Sequence, residues 1–220
     1  MQQPILGYWE ARGYAEPLRM LLTHLGVAFE DRLYHFGPAP DFNRLEWINV
    51  KETLGMEFPN LPYFIDENIK LSETLAIYEY ICAKYNPSYL GNTIVEKAYV
   101  SMITGVLRDL NSQVSNACYP KEAAALIPRA LESQRPVIAR LVKYLEGKTF
   151  LVGDHPTYVD FLLYEILDKL DAIDASYLAG ISPWFVAYKR HIRSLAHVEE
   201  FISRPSKSHL FHGPMAGWSG

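Results

Sequence analysis

The chain predicts an α+β protein in which a β-α-β-α-β-β-α domain is followed by an all-helical domain. Short apolar runs alternate with helix-period segments over the first 85 residues, and strand signals stop near Asn92. Between them lies Asn86-Pro87-Ser88, where the period changes and a proline resists continuation of a helix. The boundaries read as 1–85 for the first domain, 86–91 for a linker and 92–220 for the helical domain.

Each element has a local cause. The run PILGYW at residues 4–9 reads as a strand, and Ala15, Leu18, Leu21, Leu22 and Leu25 recur at helical spacing until Gly26. Val27 to Tyr34 reads as a second strand. Gly37-Pro38-Ala39-Pro40 breaks the pattern before a polar, partly helical stretch from Asp41 to Lys51. Leu61 to Asp66 alternates toward a turn at Glu67-Asn68; Ile69-Lys70-Leu71 is a short strand, and a helix follows from Thr74 to Lys84. Beyond the linker, Val95, Tyr99, Met102, Val106, Leu110 and Val114 mark one face of a long helix. Pro128 to Glu146 continues as helix, with Pro136 a candidate kink. Thr157 and Asp160 have the spacing of a capping pair ahead of Phe161-Leu162-Leu163 and read as structural.

Composition excludes several classes of function. A chain of 220 residues, 49% hydrophobic, buries a full core without disulfides or metal. No apolar run approaches the ~20 residues of a membrane helix, and the start lacks a basic region followed by an apolar stretch, so a cytoplasmic protein is expected. Cys82 and Cys118 are the only cysteines, lie outside any Cys-x-x-Cys pattern and read as buried helix residues. The net charge of −4 is not arranged in blocks, which argues against nucleic acid. The seven histidines are dispersed, and His209-x-x-His212 sits in an irregular tail without a paired carboxylate, so no metal is expected. No nucleotide-binding glycine motif occurs.

Four segments in order carry a resemblance across nearly the whole chain. They are Gly7-Tyr8-Trp9-x-x-Arg12-Gly13; the Gly-Pro-Ala-Pro-Asp insertion at 37–41 followed by Arg44, Trp47 and Lys51; Phe58-Pro59-Asn60-Leu61-Pro62-Tyr63; and Phe150 to Asp154 with Thr157 and Asp160. Together they resemble the mu class of the cytosolic glutathione S-transferases. The resemblance implies a thioredoxin-like first domain, a helical-bundle second domain, and an enzyme that transfers alkyl or aryl groups. It would conjugate glutathione to small hydrophobic electrophiles in detoxification, with glutathione as co-substrate and no cofactor.

The chemistry explains why these residue types would serve. A free thiol titrates near ~8.5, so little is thiolate at neutral pH and the protein must stabilise the anion. A phenol with a reference pKa of ~10 can donate a hydrogen bond to sulfur while staying neutral. By the resemblance that donor is Tyr8, next to Trp9. Pro62 resembles the superfamily's cis-proline, leaving the backbone of Leu61 to pair with glutathione. Arg44, Trp47 and Lys51 would face the glycine-end carboxylate, with Asn60 nearby. Glu73 and Thr74 open a helix whose free N–H groups favour an anionic ligand group, although the mu pattern has glutamine and serine there. Asp109 matches the aspartate that reaches across from a neighbouring subunit, and a solvated helix carboxylate reads the same way.

For the electrophile, Tyr119 matches a tyrosine that assists a developing oxyanion, making it the second catalytic candidate. Trp9, Ala11 and Tyr14 would line the floor, and Arg108, Ser112 and Ser115 would make the pocket more polar than is usual in the class. Gly213, Met215 and Trp218 are candidates for its rim, or for a tail that covers core. Phe58 resembles the aromatic key of a homodimer, though Glu79 and Ala83 stand where mu enzymes carry arginines. Two other functions share this frame: a glutathione-dependent isomerase of the sigma, prostaglandin-synthase type, and a non-catalytic ligand carrier.

Overall fold

The computed structural model describes residues 3–205 and 210–220. Strand β1 (Ile5–Trp9) and strand β2 (Glu30–Tyr34) flank helix α1 (Glu16–His24), and helix α2 (Leu45–Lys51) precedes strands β3 (Tyr63–Asp66) and β4 (Ile69–Ser72) and helix α3 (Thr74–Tyr85). The sheet order is β2-β1-β3-β4. β1 runs parallel to β2 and antiparallel to β3, while β3 and β4 form an antiparallel pair around Glu67 and Asn68. This is the expected order, with β2 and β3 beginning later than their apolar runs.

Strand alternation divides the core. Leu6 and Phe64 join Leu18, Leu21, Ile77 and Ile81 beneath α1 and α3, in a cluster that continues without a break into the helical domain. Ile5 and Tyr63 point to the other face and meet Tyr34 and Trp47. Trp47 packs within this cluster, stacked on Tyr63 and edge-on to Tyr34.

A short 3-10 turn at Pro87–Leu90 leads to α4 (Ile94–Cys118), α5 (Ala123–Leu145) and α6 (Tyr158–Ile173). Shorter helices α7 (Tyr177–Ile181), α8 (Trp184–Arg193) and α9 (Val198–Ser203) follow. Both Pro128 and Pro136 lie within α5. The face expected to be buried on α4 is corrected in its first half: Val95, Tyr99, Met102 and Val106 are exposed by 59%, 44%, 53% and 38%. Val100, Ile103, Leu107, Leu110 and Val114 are buried instead. The helix carries two apolar stripes about 100° apart, and periodicity does not say which one α5 and α6 will cover.

Helix α6 is the central post, buried from Tyr158 to Leu167. Its start is organised by Asp160, which accepts from the N–H groups of Thr157 and Leu151, both at 2.8 Å, and from the Tyr188 hydroxyl at 2.7 Å. The capping role read from Thr157 and Asp160 thus extends to a fully buried network. Cys82 and Cys118 are free and buried in α3 and α4. Among the described residues, no helix is long and apolar enough to cross a membrane, and no cluster of three or more His, Cys, Asp or Glu could hold a metal. His209 lies outside the described residues; His212 is buried.

Candidate active site

Tyr8 is in β1, paired with Leu33 of β2, and its side chain is only 8% exposed. Its oxygen accepts a hydrogen bond from the Tyr14 N–H at 3.3 Å, and no acceptor for its own proton is found among the described residues. The turn that brings Tyr14 back depends on Gly13, whose φ is +43°; a Cβ there would stand 2.5 Å from the Tyr8 hydroxyl. Burial raises the Tyr8 pKa further than the Tyr14 N–H lowers it, so the phenol stays neutral and keeps its proton.

Two adjoining cavities meet at this tyrosine's end of the sheet. The larger, of about 750 Å³, is lined by Tyr8, Trp9, Ala11, Tyr14, Ser115, Tyr119, Gly213 and Met215, with Arg44 also on its wall. Trp9 is held flat against Phe36, with ring centroids 4.4 Å apart. Tyr119 caps α4 and is 48% exposed; burial of the rest of the ring raises its pKa, so it too is a neutral donor. The second cavity, of about 470 Å³, is lined by Asn60, Pro62, Glu73, Thr74, Asp109, Arg108 and Ser112. Gly13, Tyr14, Leu61, Asn111 and Glu165 line both.

The start of α3 presents free backbone donors. No side chain caps it, so its first N–H groups remain without helical partners. Glu73, just before it, has φ +67° and ψ 114°, a strained backbone for a residue with a side chain.

Several expected site residues stand elsewhere. Trp47 is 7% exposed within the second core and, like Lys51, lines neither cavity; Lys51 pairs with Glu52 at 3.3 Å. The Leu61-Pro62 bond is cis, as the resemblance implies, but the Leu61 N–H already donates to Asn60 Oδ1 at 2.9 Å. Arg108 and Ser112 fall on the Glu73–Thr74 side and not in the larger cavity, because 108 and 112 form one i,i+4 row of α4 while 111, 115 and 119 form the next. Trp218 lies on a different groove, beside Tyr177, and stacks on Phe211. Phe58 is 80% exposed, in a loop held by a hydrogen bond from Ser72 Oγ to its carbonyl at 2.5 Å.

Sequence reasoning missed the polar floor of the larger cavity: Asn111, Glu165, Lys169 and His212. A signal existed, since Glu165, Asp168 and Lys169 interrupt the apolar run of α6. It also missed the role of Arg12, which donates to Glu165 and Asp168 and lies over the Phe211 ring at 3.9 Å.

A four-stranded mixed sheet with helices, backed by a helical domain and sharing a cleft with it at Tyr8, defines the class: a thioredoxin-like domain with a helical extension. The family model for the glutathione S-transferase N-terminal domain matches residues 4–83, and that for the C-terminal domain matches residues 108–205. A glutathione S-transferase of Dermatophagoides pteronyssinus is 37% identical over 222 residues, spanning 100% of this chain and 98% of that protein. The class-mu 26 kDa isozyme of Schistosoma japonicum is 35% identical over 215 residues, spanning 98% of this chain and 94% of the relative. The crystal structure of the glutathione S-transferase Blo t 8 superposes with a TM-score of 0.88 at 32% identity, covering 98% of this chain and 100% of that one. The chain belongs to the glutathione S-transferase family, with members of the mu class among its relatives.

Proposed function

We propose that this protein conjugates glutathione, held as a thiolate by Tyr8, to small electrophiles. The observation that carries this reading is the buried, neutral Tyr8 hydroxyl on the wall of the larger cavity, with its proton uncommitted. Such a donor stabilises an anion that a base of the same shape would not. Lowering a thiol pKa by one to two units takes roughly 1.4 to 2.7 kcal/mol, within reach of one hydrogen bond to a charged group.

The γ-glutamyl end of glutathione would lie at Glu73 and Thr74, its carboxylate on the free N–H groups of α3 and its ammonium toward Glu73 and Asp109. The cysteinyl backbone would meet Leu61, taking over the N–H that Asn60 now accepts. Arg44 and, after leaving Glu52, Lys51 would serve the glycine-end carboxylate, with Trp47 fixing α2 from beneath. Tyr119 would donate to an oxyanion formed on the electrophile. Glutathione is then a co-substrate, and the chemistry calls for no cofactor or metal.

A homodimer is part of the proposal. The 80% exposed Phe58 and the exposed stripe of Val95, Tyr99, Met102 and Val106 are apolar surfaces that a second copy would cover. Two free buried cysteines suit a reducing compartment, and we place the protein in the cytoplasm with a role in detoxification. The test is turnover by purified protein of glutathione with an aryl halide, an epoxide and an enal. Glutathione binding without turnover of any of them would replace the transferase with a ligand carrier.

A further inference from the structure

The floor of the larger cavity contains a cation that no carboxylate hydrogen-bonds. Lys169 of α6 is 5% exposed, and its ammonium donates to Asn111 Oδ1 and, at 2.8 Å, to Ser115 Oγ, both on α4. Both acceptors are neutral. An ammonium has three N–H groups, and the third has no acceptor among the described residues. Glu165, one turn earlier on α6, makes no hydrogen bond to it and is held instead by Arg12, which donates to both of its oxygens at 3.1 and 2.6 Å. A buried cation hydrogen-bonded only to neutral groups is costly, and an incoming anion relieves that cost.

His212 adds an independent mark. It is 5% exposed, lines the same cavity, and its Nε2 is buried without a partner. Burial, then the charge of Lys169, pushes its imidazole down to about 4, so it stands there as a neutral group beside Tyr119, ring centroids 5.2 Å apart. Burial likewise lowers the pKa of Lys169, with Glu165 and Cys118 acting to raise it and Arg12 to lower it. Among these groups Lys169 presents the charged donor.

We propose that Lys169, fixed by Asn111 and Ser115 with His212 beside it, is an anion-binding subsite that selects electrophiles carrying a carboxylate away from the reacting carbon. This rests on the larger cavity being the electrophile pocket and names its substrate class. The apolar body of such a substrate would lie along Trp9, Phe36 and Phe211 between the subsite and Tyr8. Lys169 is a specificity residue in this scheme and takes no part in bond making.

The test uses the full chain with glutathione and two enones, para-carboxylated benzylideneacetone and its methyl ester. Comparing the acid-to-ester ratio of kcat/KM across proteins cancels intrinsic reactivity. In Lys169→Met that ratio should fall by about tenfold or more, through KM for the acid, the range of one charge-assisted hydrogen bond. Lys169→Arg should restore much of it. The same ratio in all three proteins overturns the subsite and leaves the transferase reading standing. No turnover by wild type of either enone while an aryl halide is turned over overturns the carboxylate-selective pocket alone, and no turnover of the enones, an aryl halide, an epoxide or an enal overturns both. Should Lys169→Met not fold, 4-phenylbutyrate and 4-phenylbutanamide can be compared as inhibitors of ester turnover by wild type. The acid is expected to compete about tenfold more strongly; equal inhibition sinks the proposal.

Discussion

Arg12 and Glu165 form a two-point ion pair, Nε to Oε1 at 3.1 Å and Nη2 to Oε2 at 2.6 Å, that ties the turn after β1 to the central helix of the other domain. Arg12 also reaches Asp168 at 2.6 Å, and the backbone N–H of Arg12 donates to the Leu210 carbonyl at 2.8 Å. The turn that carries Gly13 and Tyr14 to Tyr8 is thus anchored from α6 and from the C-terminal tail. Burial drives the Glu165 carboxyl toward its neutral form, and Arg12 opposes this.

Removing one partner of this pair should cost more than removing both. Arg12→Met leaves Glu165 buried without its cation and is expected to lower stability by about 3 kcal/mol or more, as measured by urea unfolding. Arg12→Met combined with Glu165→Leu should recover a large part of the loss. Strictly additive losses in the double variant would mean the two side chains are not energetically coupled.

Tyr8→Phe deletes the donor and keeps the ring. Folding stability and glutathione affinity should stay close to wild type, while the pKa of the bound thiol rises toward ~8.5, each unit corresponding to ~1.4 kcal/mol of lost anion stabilisation. Ultraviolet titration of the thiolate in both complexes reads this directly. A mutant whose bound thiol titrates at the wild-type pH would assign the activation to another group.

Phe58→Ala should weaken self-association, because truncating a buried aromatic anchor costs ~2 kcal/mol or more. Light scattering at decreasing protein concentration should show the variant dissociating where the wild type remains paired. Identical masses throughout the dilution would remove Phe58 from the interface.

Asp66 predicts a pH dependence. At the end of β3 it accepts from Lys84 at 2.6 Å, from Tyr85 at 3.0 Å and from Tyr80 at 3.2 Å, all on α3. Burial acts to raise its pKa, but these donors outweigh it and hold the carboxyl below its ordinary value. A carboxyl depressed in the folded state stabilises the fold above its unfolded pKa, near ~3.9, and loses that contribution as pH falls through the folded value. Asp66→Asn should therefore be less stable than wild type at pH 7, and the gap should narrow below pH ~4. A gap of the same size at both ends of a urea-unfolding series would point to shape and not charge.

Local chemistry was enough to order the elements: Gly26 closing α1, Pro87 ending α3 ahead of α4, and Thr157 with Asp160 opening α6 all act within a few residues of themselves. The Tyr8 motif and Leu61-Pro62 were legible for the same reason, as contiguous strings. What needed the tertiary structure depends on partners far away in the chain. Which of two apolar stripes on α4 is buried is decided by α5 and α6, and Trp47 becomes core because β1, β2 and β3 bring Ile5, Tyr34 and Tyr63 beneath it. The polar floor is the clearest case, since Asn111 and Ser115 come from α4, Glu165 and Lys169 from α6, and His212 from the C-terminal tail. Their charges acquire meaning only where packing excludes water, and sequence spacing carries no information about where that happens.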